Sequence, residues 1–475
     1  METTFDRLRP LDNQDLLTIH EKTIDILSHS GMWFESPRAR EVFKYHGLRV
    51  EGSIVYFNEQ IIESALKSIH PKFLLLSRNP QKNLQIGGDS FAFGPSGGAP
   101  YILEYEGTVR YGKKEDYISS LKITQMLDGI DFNFELTAPS DIPRDQPLWE
   151  LLYAIKYTDK PLNDVDMGGG GLLSILFGVS PEKMKEDAQN GIAYGLRFIN
   201  PVSLLGLSEL ESDRLMELCS AGIALAISPM PIAGMTAPCT IPGLLISQNC
   251  EILGTLVLTQ LINPGCPVLY GCIGTVANMR YANAPIGTPE TRMIELASSQ
   301  IARFYGIPTR GNVGLTDASS VDFQAGAESA FQFANTVRNG LNLLTGMGTL
   351  GSWNISSLEK LVLDTEVAQY MRRFFRPLDF SEEMMAVDII KNVGPRGQFI
   401  TEEHTFNHFR DEFSEPLVFS RIPYDLWEKE GKKEAWHRAH EKVKEIIEHY
   451  QQPDLEKSLE KDLDRYVQKY YFKER

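Results

Sequence analysis

A chain of 475 residues, 42% hydrophobic and 23% charged, has the composition of a globular protein with a large core. Its net charge of −16 argues against the basic footprint of a nucleic-acid binder and against attraction to anionic membranes. The N-terminus METTFDRLRP shows no apolar leader, and no unbroken apolar run reaches the ~18 residues of a membrane span, so a cytoplasmic location is expected.

The chain opens with helical spacing at Leu16, His20, Ile24 and Leu27, then a short strand at Ile54–Phe57 and a helix at Gln60–Ser68. Runs such as FLLLS, DSFAFG, PYILEY and GTVRYG between Lys72 and Tyr111 alternate like strands and are punctuated by Gly and Asn-Pro, which predicts a small antiparallel sheet. Residues 1–116 therefore read as a helical and β cap. From 117 to 375 the pattern is strand, loop, helix, repeated, with strands expected at Asn133–Thr137, Asn163–Gly168, Val202–Leu207, Met230–Ala233, Val268–Cys272, Thr309–Val313 and Leu343–Met347. Spacings of roughly 25 to 40 residues are those of βαβ units and predict an α/β fold, a (β/α)8 TIM-type barrel. Seven strands are visible; the eighth lies before residue 133 or after residue 360, or the sheet is open. Residues 376–475 read as a helical extension, and the charge runs around EAWHRAHEKVKEIIEHY as its solvated face.

No histidine occurs between His70 and His404, so Ser-His and Cys-His nucleophiles and His-based zinc chemistry are disfavoured throughout the barrel. A barrel's active site forms at the C-terminal ends of its strands, and there the loops are rich in glycine and small residues: DMGGGG, AGMTAPCT, YGCIGTVANMR, TRGNVGLTDASS and GMGTLGSW. The nearest carboxylates are Glu290, Asp317 and Asp322. Gly346–Gly351 matches G-x-G-x-x-G but continues as Ser-Trp-Asn instead of a helix start, so a dinucleotide oxidoreductase is a weak alternative. Gly168–Gly171 lacks the Lys-Ser/Thr of a phosphate loop, and His404 and His408 lack an intervening acid, which favours a structural pair. Five cysteines, Cys219, Cys239, Cys250, Cys266 and Cys272, form no C-x-x-C pair and read as reduced core thiols. No metal site is expected in the chain.

Long stretches then carry a resemblance: GLLISQNCEILGTLVLTQLINPGCPVLYG, NAPIGTPE at 283–290, DASSVDFQAG at 317–326 and LEKLVLDTEVA at 358–368. Over nearly its whole length the chain resembles the trimethylamine methyltransferase family, corrinoid-dependent enzymes that pass a methyl group from an amine to the cobalt of a partner protein. The resemblance implies a cobalamin or other corrinoid on a cognate corrinoid protein, or free, and a homo-oligomer. The family's trimethylamine enzymes use pyrrolysine at the position that falls on Leu315 here. Leucine cannot form an amine adduct, so the chain resembles the branch without pyrrolysine, which demethylates quaternary amines.

A quaternary ammonium already carries its charge and leaves as a neutral tertiary amine, so no catalytic nucleophile or general base from the protein is expected. Binding then needs aromatic faces for the cation, for which Tyr101, Phe93 and Trp353 are candidates, with ordinary core packing as the alternative for each. Arg310 is the candidate clamp for a betaine carboxylate, with Asn312 on the same side of its strand; the alternative is an ion pair with Asp317 or Asp322. Glycine betaine is the favoured substrate, with proline betaine, carnitine, γ-butyrobetaine or a non-catalytic betaine-binding module as alternatives.

Overall fold

A computed structural model describes residues 7–143 and 146–472. At its centre six parallel strands pair in one curled sheet: β1 (Ala92–Pro95), β2 (Leu196–Ile199), β3 (Ala224–Ile227), β4 (Val268–Gly271), β5 (Thr309–Asn312) and β6 (Leu343–Met347), in the order β2-β3-β4-β5-β6-β1. Every residue of β3, β4, β5 and β6 is buried, as expected of strands covered by helices outside and side chains within.

Two extended segments close the ring. Asp131 N donates to Phe93 O at 2.7 Å, Asn133 N to Pro161 O at 2.9 Å, and Leu196 N to Leu162 O at 3.1 Å, so 131–137 and 161–165 lie between β1 and β2. They fall short of regular strands for local reasons: Pro161 has no N–H to give, and Asp164 sits at φ 67, where a ladder cannot continue.

Three sequence expectations are corrected. The eighth strand, β1, comes from within the stretch read as a small antiparallel sheet: Lys72–Leu75 does pair antiparallel with Leu84–Gly87, and Tyr101–Leu103 with Val109–Tyr111, but Ala92–Pro95 leaves to pair with β6. Val202–Leu207 is not a barrel strand. That place belongs to Leu196–Ile199, whose Arg197 broke the apolar pattern, while Gly206–Leu207 pairs with Met32–Phe34 in the cap. Likewise Ala224–Ile227 replaces Met230–Ala233, of which Ile232–Ala233 pairs with Thr275–Val276 beyond the strand ends.

Alternation along β1 places Ala92 and Gly94 inside the barrel and Phe93 outside. A Cβ on Gly94 would clash with the Phe132 ring, and the interior fills with Phe132, Phe134, Leu196, Leu269 and Leu343. Phe73 and Ile86 of the hairpin 72–87 join this cluster.

The helix Ile241–Ile262 is the one helix among the described residues long and apolar enough to cross a membrane; here the cap helices Asn13–His29, Pro37–Tyr45 and Glu59–Lys67 pack over it. Gly346–Gly351 forms a tight turn into a hairpin, Thr349–Leu350 against Ile355–Ser356, which leaves no helix N-terminus for a dinucleotide. Gly168 and Gly171 lie under Tyr470 and Tyr466 of the final helix, Lys457–Phe472, so this glycine run serves close packing. His404 and His408 share the helix Glu403–Glu412 with ring centroids 4.4 Å apart. Four cysteines are buried thiols, whereas Cys239 is exposed, contrary to the core reading for that residue.

Candidate active site

A cavity of about 630 Å³ opens at the C-terminal ends of the barrel strands. Its wall includes Arg310 from β5, Phe198 from β2, Phe134 and Glu135 from the segment 131–137, Asp164, and Trp353 from the loop after β6.

Arg310 is 5% exposed. One guanidinium nitrogen, Nη2, donates to Thr345 Oγ1 at 2.7 Å, while Nε and Nη1 are buried without a partner. The group lies 4.7 Å above the Phe198 ring. Burial pulls its pKa down to about 10, against the opposing pull of Glu295 and Cys272. The ion-pair alternative fails because both carboxylates are engaged elsewhere. Asp317 accepts from Ile286 N at 2.8 Å, Gly287 N at 2.9 Å and Ser352 Oγ at 2.5 Å, and Asp322 caps the helix Phe323–Arg338. A buried guanidinium with two idle donors is costly in an apolar wall. A bidentate carboxylate would satisfy it.

Asp317 ties the loop at 286–287 to the loop carrying Trp353. Ser352 and Trp353 hold φ values of 54 and 71, and hydrogen bonds from Gly351 N to Ala318 O (2.7 Å) and from Ser352 N to Thr316 O (3.0 Å) stabilise that turn. Trp353 is thereby held in the cavity wall.

The other sequence candidates fall elsewhere. Phe93 packs outside the barrel, its ring centroid 5.4 Å from that of Phe333. Tyr101 stands in the small sheet beyond the strand ends, 4.9 Å from the Tyr111 ring. Neither lines the cavity. Asn312 is buried and absent from the cavity wall, with Oδ1 unpartnered, and its backbone N donates to Glu295 Oε1 at 2.6 Å. Leu315 is buried, its N donating to Gln332 Oε1 at 2.8 Å, and its side chain faces Gly346 instead of the cavity.

The aromatic residues that do reach the cavity besides Trp353 were missed. Phe134 and Phe198 meet edge to face at 5.0 Å. A signal for them existed in SGGAP: a Cβ on Gly97 would lie 2.7 Å from the Phe134 ring, and one on Gly98 3.2 Å from Glu135 Oε2. These glycines make room for cavity residues.

An acidic cluster also forms the wall. Oxygens of Glu135, Glu150 and Asp164 lie within 4.8 Å of one another. Arg197 pairs with Asp164 and, at 3.4 Å, with Asp166, and Arg214 pairs with Asp166 at 2.8 Å and with Glu211. Burial, then Glu150 and Asp164, push Glu135 well above the usual carboxylate range. Burial and Asp164 push Glu150 up to about 7.

A closed parallel barrel with a buried cation, three aromatic rings and carboxylates at its mouth is the class of (β/α)8 enzymes that bind a small charged molecule at the strand ends. The chain belongs to the trimethylamine methyltransferase (MTTB) family, whose model matches residues 1–472. It is 36% identical over 459 residues to the glycine betaine methyltransferase of Desulfitobacterium hafniense, covering 94% of each chain. It is 30% identical over 482 residues to the proline betaine:corrinoid methyltransferase of Eubacterium limosum, covering 96% of each. Among solved structures it resembles the monomethylamine methyltransferase of Methanosarcina barkeri, with a TM-score of 0.51 and 11% identity over 95% of this chain and 97% of the other, a likeness of fold.

Proposed function

We propose that the protein transfers a methyl group from glycine betaine to the Co(I) of a corrinoid carried by a partner protein, leaving dimethylglycine. The observation that carries this reading is Arg310, a buried guanidinium with two free donors in the wall of a cavity lined by Phe134, Phe198 and Trp353. Trimethylamine has no carboxylate for it; betaines do. The relatives' names, one of a glycine betaine and one of a proline betaine methyltransferase, point the same way.

In the reaction the C–N bond breaks, its electron pair stays on nitrogen, and the methyl passes to the acceptor, Co(I) becoming Co(III). The corrinoid, as acceptor substrate, supplies the nucleophile. The chain's own residues bind and aim: Arg310 takes the carboxylate, the aromatic faces take the trimethylammonium, each worth about 0.5–2 kcal/mol when desolvated, and the fixed geometry lines one methyl up for attack. The methyl transfer itself moves no proton. Loss of the cob(I)alamin absorption band on adding glycine betaine, but not trimethylamine, is the expected result. Betaine binding without spectral change would instead indicate a non-catalytic binding module.

A second copy of the chain is the proposed partner for the segment 374–429. Its helices Glu382–Met385, Val387–Val393, Glu403–Glu412 and Tyr424–Lys429 contain no buried residue, and Phe374, Phe380, Phe406 and Phe413 are 77%, 73%, 66% and 69% exposed. With Leu378, Ile390 and Ile400 they are large apolar side chains left in solvent along one segment, the kind of surface that a partner covers. Arg372, at the root of the segment, pairs with Asp131, where 131–137 begins, so the segment leaves from the end of the barrel opposite the cavity. A corrinoid protein must approach the cavity end. Phe406→Asp with Phe413→Asp is expected to convert an oligomer to monomer in light scattering while betaine still binds; a monomeric wild type would contradict the assignment.

A further inference from the structure

The Glu135–Glu150 pair has a task that neutral packing does not explain. The two carboxyls approach Asp164 within the same cluster, yet the neighbouring guanidinium groups are committed to Asp164, Asp166 and Glu211, and among the described residues neither glutamate has a salt bridge. Glu135 lines the cavity that also holds Arg310 with its two free, buried donors. Carboxyls packed this closely in a desolvated site share a proton instead of both ionising. A quaternary ammonium offers no hydrogen bond, so the attraction available to Glu135 is charge alone.

We infer that Glu135 and Glu150 hold one shared proton in the empty site and release it when the trimethylammonium group of the substrate settles beside them, so that substrate binding is coupled to deprotonation. This rests on the betaine reading and deepens it. The cation does the work the proton did: it restores the site's net charge to that of the singly protonated pair and is favoured over a group of the same shape without charge. The base balance is simple, with one O–H broken, the proton passing to solvent, and no covalent change in the ligand.

The groups that face the pair are Tyr117, Asp164, Asp166, Glu211, Arg197 and Arg214. Tyr117, from the helix Lys114–Met126, is pushed far up by burial and by Glu150 and Glu135. Against burial, Arg197 and Arg214 hold Asp166 low; against burial, Asp164 and Asp166 hold Arg197 a firm cation. Asp164 is paired with Arg197, and Glu211 with Arg214. The sign follows. Below the titration of the pair, which burial and the mutual repulsion of the carboxyls hold above the ordinary carboxylate range, binding must expel a proton and weakens as pH falls; above it, binding is independent of pH.

The test is calorimetry of glycine betaine binding to the full-length protein between about pH 5.5 and 8.5, in buffers of different ionisation enthalpy. The expected result is release of close to one proton at the acid end and a dissociation constant that tightens by up to about tenfold per pH unit before levelling. The isostere 3,3-dimethylbutanoate, which keeps the carboxylate but replaces the trimethylammonium by a neutral tert-butyl group, should bind weakly and release no proton. Glu150→Gln, and separately Glu135→Gln in case one variant fails to fold, should abolish proton release and flatten the pH profile. Betaine binding with no proton release and a flat profile in the wild type would overturn the inference and leave the betaine reading standing. No betaine binding at any pH by folded protein would overturn both.

Discussion

Arg310→Met is expected to lower kcat/KM for glycine betaine by about two to three orders of magnitude while leaving the empty enzyme as stable as the wild type or more so. The activity loss follows from removing one partner of a desolvated charge pair, which costs about 3–4 kcal/mol. It should appear mainly in KM, because the carboxylate is held equally in ground and transition state. The stability effect separates this role from a structural one. In the empty site Nε and Nη1 have no partner, and the bond to Thr345, the Phe198 ring face and the pull of Glu295 offset the burial of the charge only in part. Methionine fills similar space without that penalty. A guanidinium that served the fold would make the variant less stable, and unchanged activity would remove the carboxylate clamp.

Lys360→Met is expected to destabilise the protein by about 3–5 kcal/mol, read as a fall in the denaturant midpoint. Lys360 Nζ lies 2.7 Å from both oxygens of Asp364 and 2.9 Å from Gly314 O, and both side chains are buried. Asp364 also accepts from Ser329 Oγ and from Gly348 N, each at 2.8 Å. The pair thus staples the turn after β5 to the turn after β6, and Gly314 and Gly348 stand there at φ 70 and 86. Removing the lysine leaves a buried carboxylate without a counter-ion. Replacing both, Lys360→Met with Asp364→Leu, should recover part of the loss, since two apolar groups leave no unpaired charge, although Gly348 N then loses its acceptor. A single-variant cost below about 1 kcal/mol would mean that the staple is not energetically important.

The barrel was legible wherever a strand was wholly apolar or began after a clear turn, as at Val268–Gly271 and Leu343–Met347. It was obscured where function intrudes. Arg197, whose side chain turns to the cavity wall, interrupts the apolar run of Leu196–Ile199. Periodicity reads such residues as loop. Arg310 was visible because an arginine in an otherwise neutral, small-residue strand has no packing explanation. Phe93 misled for the opposite reason: a strand with a glycine facing inward turns its aromatic residue outward, and only the register with β6 shows which side is which. The acidic cluster could not be anticipated, since Glu135, Glu150 and Asp164 come from separate segments that only barrel closure brings together.

The most direct measurement offers the purified protein glycine betaine carrying isotopically labelled methyl groups, together with cob(I)alamin, and follows where the label goes. Equal amounts of dimethylglycine and cobalt-bound labelled methyl, with trimethylamine inert under the same conditions, is the expected result. Absence of transfer from any betaine, or trimethylamine serving as the better donor, would contradict the assignment of Arg310 and of the site built around it.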